Sequence, residues 1–301
     1  MSRTIIFFCV LISFAAKAQQ PLFTQYYVND MILNPAISGS KTYNSFIIQT
    51  RQQWLGFPGA PLTTNISYHG ALNNRSAMGG YLMFDKAYPS TQGSLHLNYA
   101  YHIPLDYERV YFSFGLGAKL MYYNLDFNEG ELPPEQDNAF STNSYNKLLG
   151  DASSGVYLYG RNFHLGYSVT NLLQSSFKTP VNKSFPNLKL RNYYGMGAYR
   201  FEIINNDWQL EPSFLVRKME NRPTVLDFST RIFYFENTWG GFTYRNNGTL
   251  VFCFGFGSGS THFSYSYDHT FTGDIEQYTL GTHEIGISFR IKNWARQTYG
   301  F

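Results

Sequence analysis

His283 and Glu284, an imidazole beside a carboxylate, are the residues of this 301-residue chain that most directly invite acid/base chemistry. Hydrolysis would further need a nucleophile held beside a base that a third group orients. The serines and histidines are scattered over separate segments, and nothing in their spacing brings three together. Gly255, Gly257 and Gly259 have the spacing of a phosphate loop, but they end a strand pattern and enter a short turn with no helix to follow. The acidic run Glu129, Glu131, Glu135 and Asp137, interrupted by Pro133 and Pro134, reads as a solvated loop rather than a metal site. These residues describe a non-enzymatic protein with no cofactor. The densest local pattern is Arg51-Gln52-Gln53-Trp54 followed by the turn-rich run from Gly56 to Pro61. It fits either an aromatic anchor at a membrane interface, with Arg51 in a nearby salt bridge, or a contact for a partner protein.

The elements that must carry these residues are strands. Leu95, Leu97, Tyr99, Tyr101 and Ile103 alternate with His96, Asn98, Ala100 and His102. Successive side chains of a strand leave on opposite faces, so one face is apolar and the other wettable. The same period returns in Val110, Phe112, Phe114 and Leu116, in Phe263, Tyr265 and Tyr267, and in Ile285, Ile287, Phe289 and Ile291. Aromatic residues make up 19% of the chain and charged residues 14%, too little charge for the surface of a soluble all-β sandwich. After the first residues there is no apolar run of the ~18 positions a membrane helix needs. A closed barrel reconciles the two, with lipid outside, a polar lumen inside and every backbone group paired around the sheet.

Arg3, the apolar run Ile5 to Phe14 and the small-x-small triplet Ala16-Lys17-Ala18 read as a secretory signal peptide over residues 1–18. Losing Arg3 and Lys17 with it takes 23 basic residues to 21 against 20 acidic, a balance that gives no case for nucleic acid. Cys9 leaves too, so Cys253 stands alone without a disulfide partner, and its alternation with Phe252 and Phe254 points it inward.

Period-2 runs bounded by Gly, Pro, Asn and Asp predict an antiparallel transmembrane barrel of about 14 strands within residues 43–291. Their cores fall at 43–52, 62–71, 77–86, 93–103, 109–123, 153–159, 163–170, 191–201, 208–218, 224–235, 238–245, 249–257, 261–268 and 282–291. With the amino terminus on the periplasmic side, every inner turn is short, and the long connections 124–152, 171–190 and 269–281 are external, as outer-membrane barrels have them. Residues 19–42 are expected as a periplasmic lead-in or plug, and 292–301 as a carboxy-terminal tail. Alternation puts Asp85, Lys119, Glu211, Arg217, Asp227, Arg231, Arg245, Asp268 and Arg290 in the lumen. On the lipid side a cation at mid-membrane would cost about 2 to 4 kcal/mol. Balanced charges there are expected to pair and fill the barrel.

Several segments together resemble a family. They are Phe23-Thr24-Gln25-Tyr26, Leu33-Asn34-Pro35-Ala36, Arg51-Gln52-Gln53-Trp54-Leu55-Gly56-Phe57, Trp239-Gly240-Gly241 with Tyr244-Arg245, Tyr265-Ser266-Tyr267-Asp268, and His283-Glu284. Their order and spacing are similar to the PorP/SprF outer-membrane proteins of the type IX secretion and gliding systems of Bacteroidota-type bacteria. Asn29-Asp30 departs from the Asn-Pro often found there, and the chain continues past the last strand to an aromatic terminus, Phe301. The resemblance implies a bacterial outer-membrane component that binds or anchors secreted cargo, such as a surface adhesin, through the cargo's carboxy-terminal secretion domain. It also implies contact with periplasmic secretion-machine or peptidoglycan-binding components. By that motif Phe23, Gln25, Tyr26, Asn34, Pro35, Arg51, Trp54, Gly56, His283 and Glu284 are expected partner-binding residues. The polar, glycine-rich lumen leaves a passive channel or small-solute transporter as the alternative.

Overall fold

The computed structural model describes residues 23–106, 110–126, 145–177, 187–188, 190–204, 207–235, 237–271 and 278–296. The expected signal peptide over 1–18, the acidic run Glu129 to Asp137 and Phe301 lie outside these residues.

Fourteen antiparallel strands close into a barrel. They are β1 (Tyr43–Gln52), β2 (Leu62–Ala71), β3 (Ser76–Ala87), β4 (Ser90–Asp106), β5 (Val110–Leu125), β6 (Tyr145–Gly160), β7 (Phe163–Thr170), β8 (Asn192–Tyr199, resuming as Phe201–Ile204), β9 (Trp208–Met219), β10 (Val225–Tyr234), β11 (Thr238–Arg245), β12 (Thr249–Ser258), β13 (Thr261–Thr270) and β14 (Thr282–Lys292). Each pairs with its sequence neighbours, and β1 closes on β14 from Tyr43↔Lys292 to Gln52↔His283. A two-residue ladder, Ser176–Phe177 with Asn187–Leu188, stands apart from the barrel.

Alternation sets the wall. Leu116 on β5 is 67% exposed and Phe252 on β12 57%, whereas the inward Ser113, Thr243 and Ser266 are fully buried. A barrel in water would hide the first set; here lipid covers it. The largest departure from the sequence reading is β6, expected at 153–159 and found from Tyr145. Residues 145–152 pair with β5 beyond the point where β7 stops, Ser153 being the last β6 residue to face it. This outer projection needs no lipid face, so its Asn146 and Lys147 break the apolar period that marks the strands below.

Residues 23–42 run down the inside of the barrel, from the level of Arg51 near the external end to that of His69 and His102 near the periplasmic end. Two 3-10 turns, Asp30–Ile32 and Pro35–Ile37, compact the path. Asn34 caps the second: its Oδ1 accepts from the Ala36 amide at 3.0 Å while its Nδ2 donates to the Val156 carbonyl on β6 at 3.0 Å. Pro35 fits the first helical position because its missing N–H is not needed there. Tyr26, Leu33, Ala36 and Ile37 pack against the wall residues Tyr157, Tyr159, Tyr194, Met196 and Leu215 in one apolar cluster.

Candidate functional site

The inner segment is held along its length by side chains on the lumen face. Ser168 and Ser113 donate to the Leu33 and Ala36 carbonyls at 2.6 and 2.7 Å. His102 Nε2 donates to the Ser38 carbonyl at 2.9 Å, and its Nδ1 lies 2.9 Å from the Tyr159 hydroxyl, so both ring nitrogens are engaged. His69 Nδ1 accepts the Gly39 amide at 3.0 Å. Gly115 explains the close fit: a Cβ there would lie 2.1 Å from the Ala36 nitrogen. Alternation with Phe112, Phe114 and Leu116 puts Ser113 and Gly115 on the wettable face; the only signal that they grip another part of the chain is their small size.

Near the external end, Glu284 gathers four donors. Its carboxylate accepts from the Thr24 amide at 2.7 Å, the Gln25 amide at 3.0 Å, Gln49 Nε2 at 2.6 Å and Arg51 Nη1 at 3.2 Å. Arg51 Nη2 also pairs with Asp268 at 2.8 Å, and Asp268 accepts from the Thr24 hydroxyl at 2.7 Å. On the adjoining wall Asp227 takes Arg217 at 2.8 Å and Arg245 at 2.9 Å. Arg51, Arg217 and Arg245 thus balance Asp227, Asp268 and Glu284. Pairing and hydrogen bonding are what let buried charges persist. The lumen residues expected from alternation are buried, line the cavities or, for Arg217, pair with the buried Asp227, and most are paired.

Of the motif residues, Phe23, Gln25, Tyr26, Asn34, Pro35, Arg51 and Glu284 are buried together inside the barrel. Trp54 and Gly56 lie instead in the external loop 53–61, both with positive φ, at 49° and 90°. That loop presents Leu55 and Phe57 to solvent. It is tied to the turn before β14 by Leu55 N to the Gly281 carbonyl at 2.8 Å and Trp54 N to Thr282 Oγ1 at 3.2 Å. Neighbours on a strand face opposite ways, which separates the pair that first invited an acid/base reading. Glu284 points into the lumen, while His283 lies on the outer face, where Nδ1 accepts from the Tyr265 hydroxyl at 2.7 Å. Among the described residues no three His, Cys, Asp or Glu side chains group as metal ligands.

The inner segment leaves a cavity on each side. The outer one, about 350 Å³, is lined by Phe23, Tyr81, Asp85, His96 and Lys119. The periplasmic one, about 310 Å³, is lined by Tyr27, Lys41, Arg231, Trp239 and Arg290. At its edge Lys41 lies 3.2 Å from Asp30. Burial works against the ammonium, but the Asp30 carboxylate prevails and holds its pKa above the ordinary value.

Residues 15–289 match the family described as "Type IX secretion system membrane protein PorP/SprF". The chain belongs to the PorP/SprF family. It is a type IX secretion membrane protein of the bacterial outer membrane. No curated protein matches this PorP/SprF chain. Among solved structures, the CymD monoaromatic hydrocarbon channel is 12% identical, with 89% of this chain and 94% of that one covered and a TM-score of 0.50. Omp33 of Acinetobacter baumannii is 10% identical, covering 83% and 99%, with a TM-score of 0.45. The Pseudomonas putida toluene transporter TodX is 10% identical, covering 90% and 93%, with a TM-score of 0.47. At these identities the CymD likeness speaks for a barrel fold alone.

Proposed function

We propose that this PorP/SprF protein is a non-enzymatic holder of secreted cargo at the outer membrane, engaging a large surface protein through the cargo's carboxy-terminal secretion domain. The observation that carries this reading is the family match over residues 15–289. The external loop 53–61 supplies the contact: Leu55 and Phe57 are exposed apolar side chains beside Trp54, and Gly56 gives the loop its turn. His283 stands at the rim next to that loop. The buried motif residues Phe23, Gln25, Tyr26, Asn34, Pro35, Arg51 and Glu284 are positioning residues that fix the inner segment, and with it the strand ends that carry the loop. On the periplasmic side the short turns and the lower cavity face secretion-machine or peptidoglycan-binding components.

Deleting the gene is expected to abolish surface display of one partner while other secreted proteins appear normally, and affinity purification of the tagged protein is expected to recover that partner. Trp54→Ala is expected to reduce recovery with the barrel still folded. Normal display of every cargo in the deletion strain would sink the proposal.

A further inference from the structure

The ion-pair cluster around Glu284 and Asp227 is electrically closed, with three guanidinium groups set against three carboxylates. The periplasmic cavity is not. Its walls carry Lys41, Arg161, Arg200, Arg231 and Arg290 against two carboxylates, Asp30 and Glu211. Lys41 pairs with Asp30, and Arg200 and Arg231 share Glu211. Arg290 makes no ion pair among the described residues; its guanidinium sits 5.1 Å above the Tyr43 ring. Arg161 is exposed on the turn at the mouth. Three positive charges are therefore left over in a concave site.

The most buried of these cations is also incompletely bonded. Arg231 is 7% exposed and pairs with Glu211 through Nη2, but its buried Nε has no hydrogen-bond partner. Its guanidinium lies 3.9 Å from the Tyr27 ring centroid and 5.7 Å from that of Trp239. A buried donor without an acceptor is costly, and surplus cations gathered in one concave site favour an anion that enters. Aromatic rings around them add apolar contact and cation–π geometry, which suits a side chain with a carbon stem better than a bare ion.

We propose that this periplasmic vestibule is a receptor for an acidic peptide segment of a periplasmic protein, which inserts carboxylate side chains between Arg290, Arg161 and Arg231. The inference deepens the reading of the protein as a partner-binding component and rests on it. The volume of about 310 Å³ accommodates a few side chains rather than a folded domain. Membrane phosphates are excluded by position: the site faces the lumen, and lipid headgroups lie on the far side of the wall.

The test is calorimetric titration of the full-length purified protein in detergent with hexaglutamate, with hexaglutamine and inorganic phosphate as comparators. Hexaglutamate is expected to bind saturably, more weakly as salt rises, and hexaglutamine not at all. Arg290→Gln and Arg161→Gln, which break no ion pair among the described residues, are each expected to weaken binding by about tenfold. Arg222→Gln, in the outer cavity, is expected to leave it unchanged. Equal binding of hexaglutamine, equal competition by phosphate, or insensitivity to both arginine changes would overturn the inference. If hexaglutamate failed to bind while the deletion strain still lost its cargo, the cargo proposal would stand and this one would fall.

Discussion

Glu284 bears more of the internal organisation than any other side chain, because donors from the inner segment and from β1 converge on one carboxylate. Glu284→Ala would leave Arg51 with Asp268 and the Thr24 hydroxyl, the Thr24 and Gln25 amides without their acceptor, and Gln49 Nε2 with a 3.5 Å contact to the Gln25 carbonyl. Removing one partner of a buried pair costs about 3 to 5 kcal/mol. The expected outcome is a lower midpoint in heat-modified gel migration, with Glu284→Gln intermediate because its amide oxygen still accepts. Equal midpoints for Glu284→Ala and the unmodified protein would refute this. Sequence reading reaches these residues by two roads: the family motif selects Gln25, Arg51 and Glu284 as partner-binding, and strand parity assigns Asp268, itself in a motif segment, to the lumen. Neither could say that they meet, since hydrogen bonds such as that from Thr24 to Glu284 join residues 260 positions apart.

At the scale of elements, strands are legible wherever lipid lies on one side and polar lumen on the other. β1, β2, β7 and β11 begin and end where period and turn residues put them. The outer part of β6 has no such contrast to report it. The path of residues 23–42 has neither period, since the wall around it supplies its hydrogen bonds one carbonyl at a time. Glycines on the lumen face mark where it touches. Gly115→Val is expected to push the second 3-10 turn off β5 and expose residues 23–42 to added protease, whereas Gly195→Ala, whose new methyl would meet Val216 at an ordinary 3.8 Å, should leave the digestion pattern unchanged. Resistance of Gly115→Val equal to that of the unmodified protein would mean that the contact does not hold the segment in place.

For the whole molecule, the question raised by a polar, glycine-rich lumen is whether solutes pass. The inner segment stands between the outer and periplasmic cavities, and its apolar cluster with Tyr157, Tyr159 and Tyr194 fills the section between them. Intact protein in planar bilayers is expected to show no steady conductance, and a variant lacking residues 23–42 is expected to open. Steady opening of the intact protein would favour the channel reading. Barrel, strand number and compartment are all legible in the sequence, because alternation, turn length and the composition of the first residues are local signals. The division of the lumen was not, because it depends on which distant side chains share a level.

The hydrogen bonds from Thr24 and Gln25 to Glu284 also bear on how the chain is made. The earliest of the described residues and the last strand are anchored to each other, so a nascent or truncated polypeptide lacking β14 is without the carboxylate that holds the Thr24 and Gln25 amides. Completeness of synthesis becomes a precondition for a sealed interior. An interrupted chain would carry a loosened inner segment and an open edge at β1, two marks by which assembly factors and proteases can distinguish it from a finished molecule.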